Sequence, residues 1–309
     1  MEFLYFAGDD RFGALGVSLK DDSCHPHQTG PLPRLSALNA IDDTIVRLLA
    51  QDKLDDRLIR LVKLGASMGG TRPKALIQHG GAHWVLKFRE PDESLDTPLI
   101  EHATMTLARH CGIRTASTQA LALRKGHAVA VQRFDRYRDG RVHSLCAGVV
   151  LRACNQDPSY GALALWLRRK GNAAQGQADQ DRRELFKRMV FNILIDNNDD
   201  HEKNHVVQMD DTGCYRLSPA FDVRPTGQAL GFQLMQVGSH GAEATMVNAL
   251  SEHRLFGLTQ DQAEQAIEQV SQCVDGWKAH FKSYGVSDRD IDFLAAQIDR
   301  PFLRDQRRH

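Results

Sequence analysis

The sequence predicts an α+β chain in two lobes, strand-rich at the front and helical at the back. Three observations carry this expectation. The 309 residues, at about 150 per domain, suggest two domains or lobes. Between 57 and 134 short apolar runs alternate with Gly-containing turns, the pattern of antiparallel strands. After Arg136 apolar residues recur mainly every three or four positions, the period of helices.

Taken in order, a short N-terminal hairpin is followed by a Pro- and Gly-punctuated loop over 22–34. Residues 36–55 form an amphipathic helix with Leu38, Ile41, Ile45, Leu48 and Leu49 on one face. A meander follows, with strands in LIRLVKL, ALIQ and HWVLKF. Thr97-Pro98 reads as an N-cap with Pro at the first helical position, opening a helix that Cys111-Gly112 closes. Two more strands, TQALALR and AVAVQRF, meet at Lys125-Gly126. Residues 160–170 and 182–195 are helices, joined by a polar, mobile loop over 171–181. A hairpin over 205–218 interrupts them. Thr259 with Gln262 suggests a capping box ahead of a long helix marked by Ile267, Val270, Val274, Trp277 and Phe281. Ser287 with Asp290 starts another helix. The lobes are expected at 1–131 and 132–309, hinged near Gln132–Phe134.

Composition excludes more than it names. Thirty-nine basic residues balance 39 acidic ones, so the chain is neither a polycation nor a polyanion. No apolar stretch reaches 18 residues, so no membrane-spanning helix is expected, and the start, MEFLYFAGDD, lacks the features of a signal peptide. Six cysteines without any C-x-x-C pair suggest reduced thiols in a cytoplasm rather than a disulfide framework or a zinc ribbon. Charge is unevenly placed: residues 196–211 hold six carboxylates against one lysine. Carboxylates crowded between an apolar helix and a β-branched run want a cation.

That segment admits two chemistries. His201-Glu202-Lys203-Asn204-His205 matches the H-E-x-x-H of zinc peptidases, which needs both histidines on one helical face. The surrounding Asn and Asp residues and Val206-Val207 argue against a helix there. Alternatively, Asp199 stands five residues before Asn204, and Asp222 follows beyond a hairpin. Protein kinases use such a set, one carboxylate to orient the substrate hydroxyl and accept its proton, an amide oxygen and a second carboxylate for magnesium. A polar turn with ordinary acidic residues is the plain alternative. Other pieces occur in kinase order. Gly65–Thr71, with Ser67, Gly69 and Gly70, could cradle phosphates with backbone N–H groups. Lys87 rises from the apolar strand HWVLKF, and Glu101, early in the following helix, is its natural carboxylate partner.

The blocks SMGGTRPKALI, HWVLKF, VQRFDR, NNDDHEKNH and LSPAFDV together resemble the HipA family of serine/threonine protein kinases, the toxins of bacterial toxin–antitoxin pairs. The resemblance runs from about Phe3 to at least Thr226. It implies a two-lobed, protein-kinase-like fold using ATP and magnesium. It assigns Asp199 as the catalytic carboxylate, Asn204 and Asp222 as magnesium ligands, and Lys87 as the phosphate lysine. Gln132 and Phe134 match the adenine-holding hinge, Asp135 a ribose contact, and Ser67 a Gly-loop serine whose autophosphorylation switches the enzyme off. It implies a protein substrate such as an aminoacyl-tRNA synthetase, and a HipB-like DNA-binding antitoxin through which DNA is met only indirectly. Family members carry a further small subdomain before the counterpart of FAGDDRFGALGVSL; its absence here resembles HipT-like split systems in which a separate small protein supplies it. Two rivals remain, a zinc peptidase and a catalytically silent pseudokinase that binds a partner without turning over ATP.

Overall fold

The structure, a computed structural model, describes residues 10–20, 30–50, 72–90, 92–137 and 140–308. The chain divides into two compact units, residues 1–99 with 117–144, and residues 100–116 with 145–309.

The first unit is built on a sheet. A 3-10 turn at Leu35–Ala37 leads into α1 (Leu38–Leu49). Strands β1 (Lys74–His79), β2 (Ala82–Lys87), β3 (Thr118–Ala122) and β4 (His127–Gln132) form an antiparallel sheet in the order β1–β2–β4–β3. Alternation places Ala75 and Ile77 of β1 with Trp84 and Leu86 of β2 on one buried face, where Ile41 and Ile45 of α1 cover them. Each of the Ile and Leu side chains contributes about 1.5–3 kcal/mol on full burial. Beyond β4, β5 (Arg136–Tyr137) pairs with β6 (Gly140–Arg141). Residues 10–20 carry no strand; the rest of the expected N-terminal hairpin, and the expected strand in LIRLVKL, fall outside the described residues.

The second unit is mostly helical. Its elements are α2 (Thr97–His110, entering from the first unit), β7 (Ser144–Cys146), α3 (Ala147–Ala153), α4 (Tyr160–Lys170), α5 (Gln177–Leu194), β8 (Val206–Met209), β9 (Tyr215–Leu217), α6 (Met246–Ser251), α7 (Gln260–Asp275), α8 (Trp277–Ser283), α9 (Asp288–Ile298) and α10 (Pro301–Gln306). Helix α5 is the axis: Leu185, Phe186, Met189, Val190, Ile193 and Leu194 are buried on it, and α4 and α7 pack against it. The capping box at Thr259 and Gln262 forms with both hydrogen bonds, and the Ser287 hydroxyl accepts from Asp290 N. Gly112, at φ 79°, ends α2 in a conformation that costs glycine little.

Three expectations need correction. The polar loop over 171–181 is shorter, because α5 begins at Gln177: Gln177 Nε2 donates to Asp181 Oδ1 and Arg182 pairs with Asp179, one turn apart. These polar side chains support the first turn locally, as helical spacing allows. The long helix expected after Thr259 breaks at Gly276, giving α7 and α8. Finally, two cysteines are not reduced thiols: Cys111 at the end of α2 is bonded to Cys273 in α7, 162 positions away. Cys146, Cys154 and Cys214 are free.

Candidate active site

The predicted residues fall in both units. In the first, Lys87 ends β2 and is 6% exposed. The two-residue turn at Gly80-Gly81 fixes the hairpin register so that Lys74 lies directly opposite it. Lys74 is 7% exposed. Being directly opposite, both side chains lie on the same face of the sheet.

Gln132 closes β4, its N–H donating to Ser117 O, and Arg133 N–H donates to His83 O. The Phe134 ring meets Phe12 edge-on at 5.7 Å. Asp135 is fully buried and both its oxygens are taken. Oδ1 accepts from Arg133 Nε at 2.9 Å, and Oδ2 accepts from Arg133 Nη2, Arg136 Nη1 and Gly13 N at 2.8, 2.7 and 2.8 Å. Burial pushes this carboxyl up, but the hydrogen bonds and charge of Arg133, with the charge of Arg136, outweigh it and hold the pKa below its ordinary value. The same arginines, with Arg141, donate to the carbonyls of Asp10, Arg11 and Gly13. Asp135 therefore clasps residues 10–15 to the strand end, and a ribose contact is not what its surroundings offer. Ser67, Gly69 and Gly70 lie outside the described residues.

In the second unit, Glu101 is buried in the first turns of α2. The segment after α5 carries the remaining residues. Two adjacent aspartates there face opposite ways: Asp199 is exposed, while Asp200 is 2% exposed. Asn204 Nδ2 donates to the Asp199 carbonyl at 3.2 Å, which commits the amide nitrogen and turns the amide oxygen to the other side. Beneath the loop, Tyr160 of α4 donates its hydroxyl to Asp200, and His205 Nε2 donates to the same Oδ2 at 2.9 Å. Burial raises the Tyr160 pKa, and the charge of Asp200 raises it further. Burial alone would raise Asp200, but His205 and Tyr160 reverse that and lower it. The proton thus stays on Tyr160 and Asp200 stays a carboxylate.

The segment leading to Asp222 is held by Ala116 N and Ala220 N, which donate to Ala220 O and Arg114 O at 2.8 and 2.7 Å. Arg188 Nη2 donates to Ser218 O at 2.6 Å. Asp222 is half-buried with φ 58°, left-handed backbone. Its neighbours Ala220, Phe221 and Val223 line one small cavity with Asn204, Asp200 and His205. The segment beyond it docks on the loop: Thr226 Oγ1 donates to Asp196 O at 2.8 Å, and Asn198 Nδ2 donates to Phe232 O at 3.2 Å.

The zinc reading fails on geometry. Residues 201–205 are turn rather than helix, so the two histidines share no helical face, and His205 is buried against Asp200 and Tyr160. Among the described residues no His, Cys, Asp and Glu group of metal-binding shape occurs. The oxygens of Asn204 and Asp222 suit a hard cation such as magnesium better than zinc.

The HipA-like C-terminal domain family matches residues 66–277, more than half of the chain. The chain belongs to that family. Two curated relatives from Sinorhizobium fredii (strain NBRC 101917 / NGR234) carry the names "Putative kinase Y4dM" and "Putative kinase Y4mE". The first is 30% identical over 162 residues, 47% of this chain and 38% of that protein. The second is 25% identical over 244 residues, 71% of this chain and 56% of that protein. The chain thus spans little more than half of the longer match. Among solved structures, HipA of Shewanella oneidensis MR-1, in complex with HipB and its operator DNA, superposes with a TM-score of 0.60 at 16% identity. The match covers 87% of this chain and 73% of that one. The Helicobacter pylori proinflammatory kinase CtkA gives 0.55 at 12% identity, covering 77% and 90%. These likenesses are of fold, and the fold is that of HipA-like kinases. No helix among the described residues is long and apolar enough to cross a membrane.

Proposed function

We propose that this HipA-like chain is an ATP- and magnesium-dependent serine/threonine protein kinase. The observation that carries the proposal is the loop over 197–205, where Asp199 faces out while Asp200 is held inside and Asn204 is turned by its bond to the Asp199 carbonyl. Lys87, with Lys74 opposite, would take the phosphates, and Glu101 would partner Lys87. The Gln132–Phe134 backbone would hold adenine, with 1–131 and 132–309 as the two working lobes. Magnesium held by Asn204 and Asp222 would supply positive charge to the phosphates. Asp199 orients the substrate hydroxyl, whose oxygen bonds to the γ-phosphorus as the bond to the β–γ bridging oxygen breaks. ADP leaves with that electron pair, and the hydroxyl proton passes to Asp199.

The finer reading is a toxin of a toxin–antitoxin pair that phosphorylates a translation protein such as an aminoacyl-tRNA synthetase in the cytoplasm. A HipB-like DNA-binding antitoxin would restrain it, Ser67 would be its autophosphorylation site, and a separate small protein would complete its N-terminal side. The family match and the solved HipA–HipB–DNA neighbour support it. Incubation with magnesium and γ-labelled ATP, read by ADP release and intact mass, tests the core. Transfer lost in Asp199→Asn, with one phosphate mapping to Ser67 in the parent chain, is the expected result. No ADP and no added mass would leave a silent binding module.

A further inference from the structure

Under the loop that carries Asp199 and Asn204 runs a chain of buried polar side chains with no part in the chemistry above. Asn197 Nδ2 donates to Asn192 Oδ1 at 3.0 Å, Asn192 Nδ2 to the Tyr160 hydroxyl at 3.5 Å, and that hydroxyl to Asp200. His205 Nε2 donates to Asp200 from the far side at 2.9 Å. All five residues are between 0 and 3% exposed. The chain links α4, α5, both ends of the loop and the entry to β8, and the His205 carbonyl accepts from Ala147 N at 2.7 Å where α3 begins.

Burying a carboxylate, a phenol, an imidazole and two amides in a helical core brings little net stability, since apolar side chains of similar volume would serve as well or better. The hydrogen bonds that join its members fix their mutual geometry, although His205 Nδ1 makes none. Asp199 and Asn204 flank it: Asp199 immediately precedes Asp200, and Asn204 immediately precedes His205. Displacing Asp200 or His205 therefore displaces its neighbour in the active loop. Resting on the kinase reading, we infer that Tyr160, Asp200 and His205 are positioning residues that hold Asp199 and Asn204 in register for phosphoryl transfer.

Tyr160→Phe removes one hydroxyl, and Asp200→Asn keeps the volume while removing the charge. Both full-length variants are assayed at a temperature where circular dichroism shows them fully folded. Misplacement by about 1 Å costs up to ~10²-fold, so kcat should fall roughly tenfold for Tyr160→Phe and ~10²-fold for Asp200→Asn. KM for ATP should stay within about threefold of the parent, because both side chains are buried beneath the loop. A network that only stabilises the fold would leave kcat within twofold once folding is complete, or would move kcat and KM together; either result overturns the inference. Absence of transfer by the parent chain would instead sink the kinase reading.

Discussion

Replacing Asp135 by Asn should destabilise the sheet unit far more than an isosteric change on a surface. The carboxylate accepts four hydrogen bonds and is the counter-charge for Arg133 and Arg136, whose side chains are 1% and 9% exposed. Burial and the repulsion of Arg133 already push Arg136 down to about 10. Without the carboxylate, two enclosed guanidinium groups lose this counter-charge, and an amide N–H₂ is set among donors. Breaking a buried pair in this way costs about 3–5 kcal/mol. The pH dependence has a definite sign. The folded Asp135 pKa lies below its ordinary value of 3.8, so its contribution is present above that value and is lost as pH falls through the folded pKa. Urea unfolding at low salt, followed by circular dichroism, should show the deficit at pH 7 and its closing below about pH 4. A deficit under about 1 kcal/mol at pH 7, or one that grows on acidification, would refute the assignment of Asp135 as a clasp.

Asp199→Asn should lower phosphoryl transfer by ~10² or more while nucleotide binding, measured by calorimetry, is unchanged. Asp222→Asn should raise the magnesium concentration needed for half-maximal ATP turnover, with unaltered magnesium dependence counting against its role as a ligand. Reducing the Cys111–Cys273 bond, or replacing Cys111 by Ser, should cost about 2–5 kcal/mol. Melting curves with and without dithiothreitol read this, and should coincide for the variant. A Cβ on Gly238 would run into the backbone carbonyl of Asn248 and the Ser251 hydroxyl. Gly238→Ala should therefore destabilise by about 1–3 kcal/mol or more, seen as a lowered melting temperature.

Legibility in the sequence followed the range of the forces at work. The caps of α7 and α9 were readable because Thr259 with Gln262 and Ser287 with Asp290 satisfy backbone groups three residues away. The β1–β2 hairpin and α2 were readable for the same reason, through Gly80-Gly81 and Thr97-Pro98. In the loop over 197–205 spacing separates Asp199 from Asp200 relative to Asn204, and the structure leaves the first exposed and buries the second. Unreadable features depend on partners far along the chain. Asp135 looks like a ligand contact until residues 10–15 are folded against it. Cys111 and Cys273 have no local signal for a bond spanning 162 positions. Tyr160 and Asn192 sit on helix faces that periodicity assigns to packing, and only the bonds of Asn192 to Tyr160 and of Tyr160 to Asp200 show their polar ends paired. The start of α5 was missed because its first turn is polar, so amphipathic periodicity gave no sign of it.

The left-handed backbone at Asp222 bears on which control is fair. Among residues other than glycine, Asn and Asp adopt that conformation most readily. Position 222 is therefore constrained by φ 58° in addition to the ligand role proposed for its carboxylate. Alanine there would remove the carboxylate and also place a poorly suited residue in a conformation costing of order 1–3 kcal/mol, so an inactive Asp222→Ala chain would confuse a missing carboxylate with a distorted backbone. Asparagine keeps the backbone preference and changes only the charge. Glycine relaxes the backbone and removes the ligand. Measured side by side, the two substitutions divide what Asp222 does as a shape from what it does as a carboxylate.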